Sequence, residues 1–304
     1  MKRIAMTMAI VSLAIWAGAQ TYGQGGQQTP PAGGAPAPGA QSAPGGQTAP
    51  VVPAAPAGKR PPQAKTQPEF DAYKVVAANT DAAALEKATD DFATKFPDSE
   101  LRSLLYKAAM RTYQSANNSE KTEAMGRKVL SMDGDDPESL VIVAEVIAER
   151  TRDSDLDKDQ RYDEAMKMAQ KATQTVESDV VFNQGTPQEK IDAYKSLLRS
   201  NAYSVMGTID FKKDSFASAQ ENLQKSIDAY PAQPDPVVVL RLALSLDKQS
   251  KYPDALKIAN RAVELTQDSS QIGTLARRER DRLQQLTGGA GPAPAQPQAQ
   301  PPKN

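Results

Sequence analysis

The 304-residue chain contains no cysteine and no histidine. Without cysteine there is no disulfide framework, no thiol nucleophile and no lipid-bearing cysteine after an N-terminal apolar run, so any fold rests on its own core. Without histidine, both the commonest general base and the commonest transition-metal ligand are missing. Aromatics are sparse, at 5% of residues. Charge of one sign is also lacking: 36 basic residues stand against 37 acidic ones, which leaves no electrostatic footprint for nucleic acid. Serine-centred nucleophile motifs and phosphate-cradling glycine loops are absent as well. An enzyme would have to work with paired carboxylates or a lysine that nothing in the sequence singles out, and we expect a non-catalytic protein without cofactor.

Long apolar runs are confined to the start. MKRIAMTMAIVSLAIWAGA places Lys2 and Arg3 before an uncharged stretch that ends in Ala17, Gly18 and Ala19. That order, basic start, apolar middle and small-residue end, is the plan of a secretory signal peptide over residues 1–19. The run from Ile4 to Ala19 is shorter than the roughly 17–25 residues of a spanning helix. Export is therefore expected, into a bacterial periplasm or outside the cell, with no integral membrane segment after cleavage. Loss of Lys2 and Arg3 would leave a net charge of about −3.

Residues 20–67 are almost entirely Pro, Gly, Ala, Gln, Ser and Thr, as in PPAGGAPAPGAQSAPGGQ, and 288–304 have the same character. Such segments bury too little apolar surface to offset their ordering entropy, so both read as disordered tails. The longer one would reach roughly 35–40 Å as a flexible chain. Between them, residues 68–287 are rich in Ala, Leu, Lys, Glu and Gln, with Pro at punctuating positions, which is helix composition. VVVL at Val237–Leu240 falls inside a helical period, so the expected class is all-α.

The middle segment carries an internal spacing. Phe216, Ala219, Leu223 and Ser226 stand at offsets of 0, 3, 7 and 10. Tyr252, Ala255, Ala259 and Ala262 repeat them, as do Tyr162, Ala165, Ala169 and Ala172. On a helix those offsets form one narrow stripe, a ring followed by small residues, which lets a neighbouring helix come close. The helix before each stripe reads large, large, small, large: Leu140, Val143, Ala144 and Ile147, then Val239, Leu242, Ala243 and Leu246. Tyr203, Met206 and Gly207 begin the same pattern, with Asp210 at its last position and Phe211 beside it as a substitute.

A large–large–small–large helix, a turn and an aromatic–small helix at a period near 34 resemble the tetratricopeptide repeat. The resemblance is specific over 200–233 and 236–269, good for the unit before, and covers about two-thirds of the chain. It implies a right-handed solenoid of antiparallel helix pairs, about five of them, with a capping helix over Gln271 to Leu286. In the weaker second unit Thr122 and Gly126 read as departures from the stripe. The junction of Phe92, Phe96, Pro97, Asp98 and Ser99 is similar to repeats of bacterial envelope assembly and cell-division tetratricopeptide proteins. Thr186, Pro187, Gln188 and Glu189 read as a capping box that opens a helix of about 25 residues. Asp136 before Pro137 and Asp235 before Pro236 read as helix caps.

A solenoid of this kind implies capture of a peptide or protein partner in a concave groove lined by the first helix of each pair. In the register above, the groove positions are Lys107, Arg111, Val141, Glu145, Ser204, Thr208, Leu240 and Leu244. One end would be basic and the other apolar, suited to an extended segment with acidic residues and an apolar anchor. The partner would be a protein of the cell envelope, and an accessory role in an outer-membrane assembly or division complex uses the same surface. One further constellation has metal-ligand spacing: Asp153, Asp155, Asp157 and Glu164 match the oxygen positions of an EF-hand loop, which would make the chain a calcium-responsive module. Lys158 stands where such a loop needs glycine and Arg161 adds a positive charge, so a solvated acidic loop is the competing reading.

Overall fold

A computed structural model describes residues 59–183 and 185–288 of the chain. The signal-peptide expectation, all of the first tail up to residue 58 and the second tail beyond 288 lie outside the described residues. Among those described, eleven α-helices and no strand are found. They are α1 (Gln67–Ala77), α2 (Ala82–Lys95), α3 (Leu101–Ser115), α4 (Ser119–Met132), α5 (Pro137–Arg150), α6 (Lys158–Thr175), α7 (Gln188–Lys212), α8 (Phe216–Ala229), α9 (Pro236–Lys248), α10 (Tyr252–Glu264) and α11 (Gln271–Leu286). Each helix packs on the next, so the molecule is an all-α solenoid of helix pairs with α11 over the last pair.

The spaced stripe is the seam of each pair. Ala165, Ala169 and Ala172 on α6, Ala219, Leu223 and Ser226 on α8, and Ala255, Ala259 and Ala262 on α10 are all buried. Tyr162 is buried at the head of its stripe. Phe216 and Tyr252 are half-buried, and the Phe216 ring meets Phe211 edge-on at 5.5 Å. The same offsets continue into the earlier units. Leu85, Thr89 and Phe92 on α2, and Thr122, Gly126 and Val129 on α4, are buried. Thr122 and Gly126 therefore occupy the stripe rather than depart from it. The Thr122 hydroxyl is satisfied by the Asn118 carbonyl at 2.8 Å, and what the packing selects at that place is small volume.

Three turns inside pairs share one conformation. Asn117, Asp214 and Ser250 have φ of 55°, 55° and 60°. The amide after each reaches back to the preceding helix: Asn118 N to Tyr113 O at 2.9 Å, Ser215 N to Asp210 O at 2.9 Å, Lys251 N to Leu246 O at 3.0 Å. This is the left-handed helix end that satisfies otherwise orphaned carbonyls.

Caps set the helix starts. Asp136 and Asp235 accept from Ser139 N and Val237 N, both at 2.8 Å, with Pro137 and Pro236 next in line. Thr186 does not cap α7. Pro187 takes the cap position, and the Thr186 hydroxyl donates backwards to Asn183 O at 2.7 Å. The working capping box lies at the other end of the fold, where Thr66 accepts from Glu69 N at 3.3 Å and Glu69 accepts from Lys65 N at 2.7 Å. Before it, residues 59–66 run against the turns of the stack. Lys59 N bonds Ser178 O at 3.0 Å, the Lys59 ammonium meets Asp133 at 2.5 Å, and Arg60 forks onto Glu100 at 2.6 and 2.8 Å. Residues 59–66 of the expected linker thus belong to the solenoid edge, and its last residue, Gln67, opens α1.

The loop between α5 and α6 covers 151–157, because α6 begins at Lys158. Helix α7 is 25 residues long. Its first turns run beyond the pair with α8 and carry Tyr194, whose ring packs edge-on against Phe182 at 5.9 Å.

Candidate partner-binding face

Odd-numbered helices touch one another along the stack: α1 meets α3, α5 meets α7, α7 meets α9 and α9 meets α11, while among the described residues no even pair packs comparably. Closer approach of the odd helices puts them on the inside of the curve, so their free sides form the concave face.

Of the eight groove positions, the structure keeps some on that face and withdraws others. Val141 is 1% exposed and packs with Leu140, Ala172 and Ala202. Leu240 is also buried. Both are core residues rather than contacts for a partner. Glu145, Ser204 and Leu244 are half-buried, and Thr208 is buried beneath a bond to Arg241.

The basic end is neutralised internally. The Lys107 ammonium bonds the Asp136 carboxylate, and Arg111 makes a two-toothed pair with Glu138, both contacts at 2.5 Å. Burial alone would push the Glu138 carboxyl up, but Arg111, together with Lys107 and the Tyr194 phenol beside it, holds it below the usual range. Tyr194 comes from the overhang of α7, so that extension closes over the place where an acidic segment was expected. The free cations anticipated at Lys107 and Arg111 are therefore spent on the first turn of α5.

Further along, α5, α7 and α9 build a mixed polar surface. On α7, Thr208 donates to Ser204 O at 2.8 Å and accepts from the Arg241 Nη1 at 2.6 Å. One turn later, the Lys212 ammonium donates to Ala148 O at 2.6 Å and lies 5.7 Å from the centre of the Tyr162 ring. A cation at the C-terminal carbonyls of α5 is favourable for that helix dipole. Burial draws the Lys212 ammonium and the Arg241 guanidinium below their ordinary pKa values. Glu145 is pushed up to about 8, first by burial and then by the charges of Glu149 and Asp235. Burial raises Glu149 too, against the pull of Arg241 and Lys212.

Glu149, Lys212 and Arg241 had escaped sequence reading, and Asp235 had been read only as a helix cap. Glu149 stands one turn after Glu145 on the same face, a signal that was available. Arg241 and Lys212 reach the site only through the stacking of helices far apart in sequence.

The EF-hand spacing is not brought together. Asp155 accepts from Arg152 N at 2.9 Å inside its own loop, and Glu164, on α6, pairs with Arg127 at 2.7 Å. Among the described residues, no three acidic side chains converge as metal ligands.

The fold and this face define a helical-repeat solenoid. No family model and no curated protein matches the chain. Among solved structures, the chain is similar to "Assembly Chaperone of RpL4 (Acl4) (Residues 1-338)", at 11% identity and a TM-score of 0.38, over 72% of this chain and 97% of that one. No helix among the described residues is long and apolar enough to cross a membrane.

Proposed function

We propose that the chain is an exported, non-catalytic tetratricopeptide-type scaffold that captures a segment of an envelope protein on the concave face of α3, α5, α7 and α9. One observation carries the reading. The inner face of α5 holds two carboxylates, Glu145 and Glu149, with no hydrogen-bond donor among the described residues. Glu145 is half-buried and Glu149 exposed beside it. An unpaired polar group on a half-buried surface costs stability, and a partner that satisfies it offsets that cost. Export is supported by Lys2, Arg3 and the apolar run that ends at Ala19. An accessory role in an outer-membrane or division complex would use the same face, and the junction at Phe92, Phe96, Pro97, Asp98 and Ser99 supports it.

The test is site-specific photocrosslinking in intact cells. A crosslinker at Ser204, on the inner face, should trap one defined partner, whereas the same group at the exposed Lys167 of α6 should not. Equal trapping at both positions, or trapping at Lys167 alone, would contradict capture by the concave face.

A further inference from the structure

The charges of the concave face are satisfied unequally. Its cations all have protein acceptors: Lys107 has Asp136, Arg111 has Glu138, Lys212 has Ala148 O and Arg241 has Thr208. Of its acids, Asp136 and Asp235 are occupied as helix caps and Glu138 is held by Arg111. Glu145 and Glu149, one turn apart on α5, accept from no donor among the described residues. Opposite them, α9 presents Val237, Arg241 and Leu244 along one stripe, all half-buried.

From this imbalance we infer that the face between α5 and α9 takes a cationic partner segment, seating a lysine or arginine side chain at Glu145 and Glu149 with apolar neighbours laid along Val237 and Leu244. The inference rests on the capture reading above and narrows it, because it reverses the sign of the segment that Lys107 and Arg111 had led us to expect. An incoming carboxylate would find Arg241, but it would also meet Glu149, Asp235 and, once it ionises, Glu145. An incoming cation completes the set.

Charge balance gives a second signature. The charges that act on Glu145 are Glu149 on its own helix and Asp235 at the cap of α9, while Lys212 on α7 and Arg241 on α9 act on Glu149. Without a guest, burial and those acids keep Glu145 largely protonated at neutral pH. A cationic guest lowers that pKa, so Glu145 gives its proton to the buffer as the pair forms. Affinity should therefore rise with pH towards about 8, with a proton released on binding.

The experiment is calorimetry on the full chain with two capped peptides, three repeats of Ser-Leu-Lys and three of Ser-Leu-Glu, in buffers of different ionisation heat. The lysine peptide should bind about tenfold more tightly or better, a difference equal to about 1.4 kcal/mol, with proton release at pH 7. The Glu145→Gln/Glu149→Gln double variant should lose that preference while melting no lower than the parent, which separates lost recognition from unfolding. Leu244→Arg should weaken both peptides. Preference for the glutamate peptide, sensitive to Leu244→Arg, would overturn the cationic inference but leave capture by this face standing. Indifference of the lysine peptide to the double variant, or no binding of it at all, would also overturn the inference. If both peptides bind and neither responds to Leu244→Arg, the capture reading fails with it.

Discussion

Gly207 of α7 lies so close to Leu223 of α8 that a Cβ at 207 would stand 2.6 Å from the Leu223 Cγ and 3.0 Å from its backbone nitrogen. The seam of the fourth pair therefore has no room for one more carbon. Gly207→Ala should destabilise by about 1–3 kcal/mol, since the intruding methyl meets main chain as well as side chain. In a Leu223→Ala background the same change should cost much less. Denaturant midpoints of the four proteins in that cycle give the coupling, and simple additivity would mean that the two helices do not meet there.

Ala219 sits in the same seam with no exposed surface. Ala219→Leu should overpack it and cost about 1–3 kcal/mol. An unchanged melting temperature would put the stripe on the outside of the pair.

Ser250 holds a left-handed backbone at φ 60°, a region where a Cβ is unfavourable. Ser250→Gly should stabilise by about 0.5–1 kcal/mol, and Ser250→Ala should bring no gain. Asn117 shares the conformation, but asparagine tolerates it better, so Asn117→Gly should gain less. Thermal melts of the three variants rank them directly.

Two carboxylates should move stability in opposite directions with pH. Burial opposes charge on Glu69, yet bonds from Ser99 and from the Lys65 amide outweigh it and hold its pKa below the ordinary value. That stability is present above the usual carboxylate range and is lost as pH falls through it. Glu69→Gln should cost about 1–3 kcal/mol at pH 7 and converge on the parent as pH falls below the usual carboxylate range. Glu145 is the reverse case, with its folded pKa raised to about 8. Between the ordinary carboxylate value and about 8, the folded chain holds a proton that the unfolded chain has released, so stability falls as pH rises. Glu145→Gln should therefore be the more stable protein by about 1 kcal/mol or more at pH 8.5, with the gain shrinking towards pH 5. A constant difference across that range would mean that Glu145 titrates normally.

The stripes on α6, α8 and α10 were legible because ring and alanine at helical offsets have one economical explanation, a close helix pair. The stripe on α4 was not, since Thr122 and Gly126 look polar or helix-breaking by residue type while the seam selects them by volume. The pattern Thr-x-x-Glu occurs at 66–69 and at 186–189 and builds a capping box only at the first. What separates them is tertiary: Ser99, from the junction before α3, steadies Glu69 at 2.5 Å. Groove positions followed from register as far as Glu145, Ser204 and Leu244. Their electrostatics did not, because the acids that neutralise Lys107 and Arg111 stand on α5, and Arg241 reaches Thr208 from the next pair along.

The central claim is that the concave face, and no other surface, takes a partner. It is tested most directly by affinity capture from solubilised bacterial envelope, with the full chain and its Leu244→Arg variant as parallel baits at low and high salt. The account predicts one near-stoichiometric partner that is held by the parent, weakened by salt and lost with Leu244→Arg. The same partner on both baits would contradict it and move the contact to the outer face or to the tails.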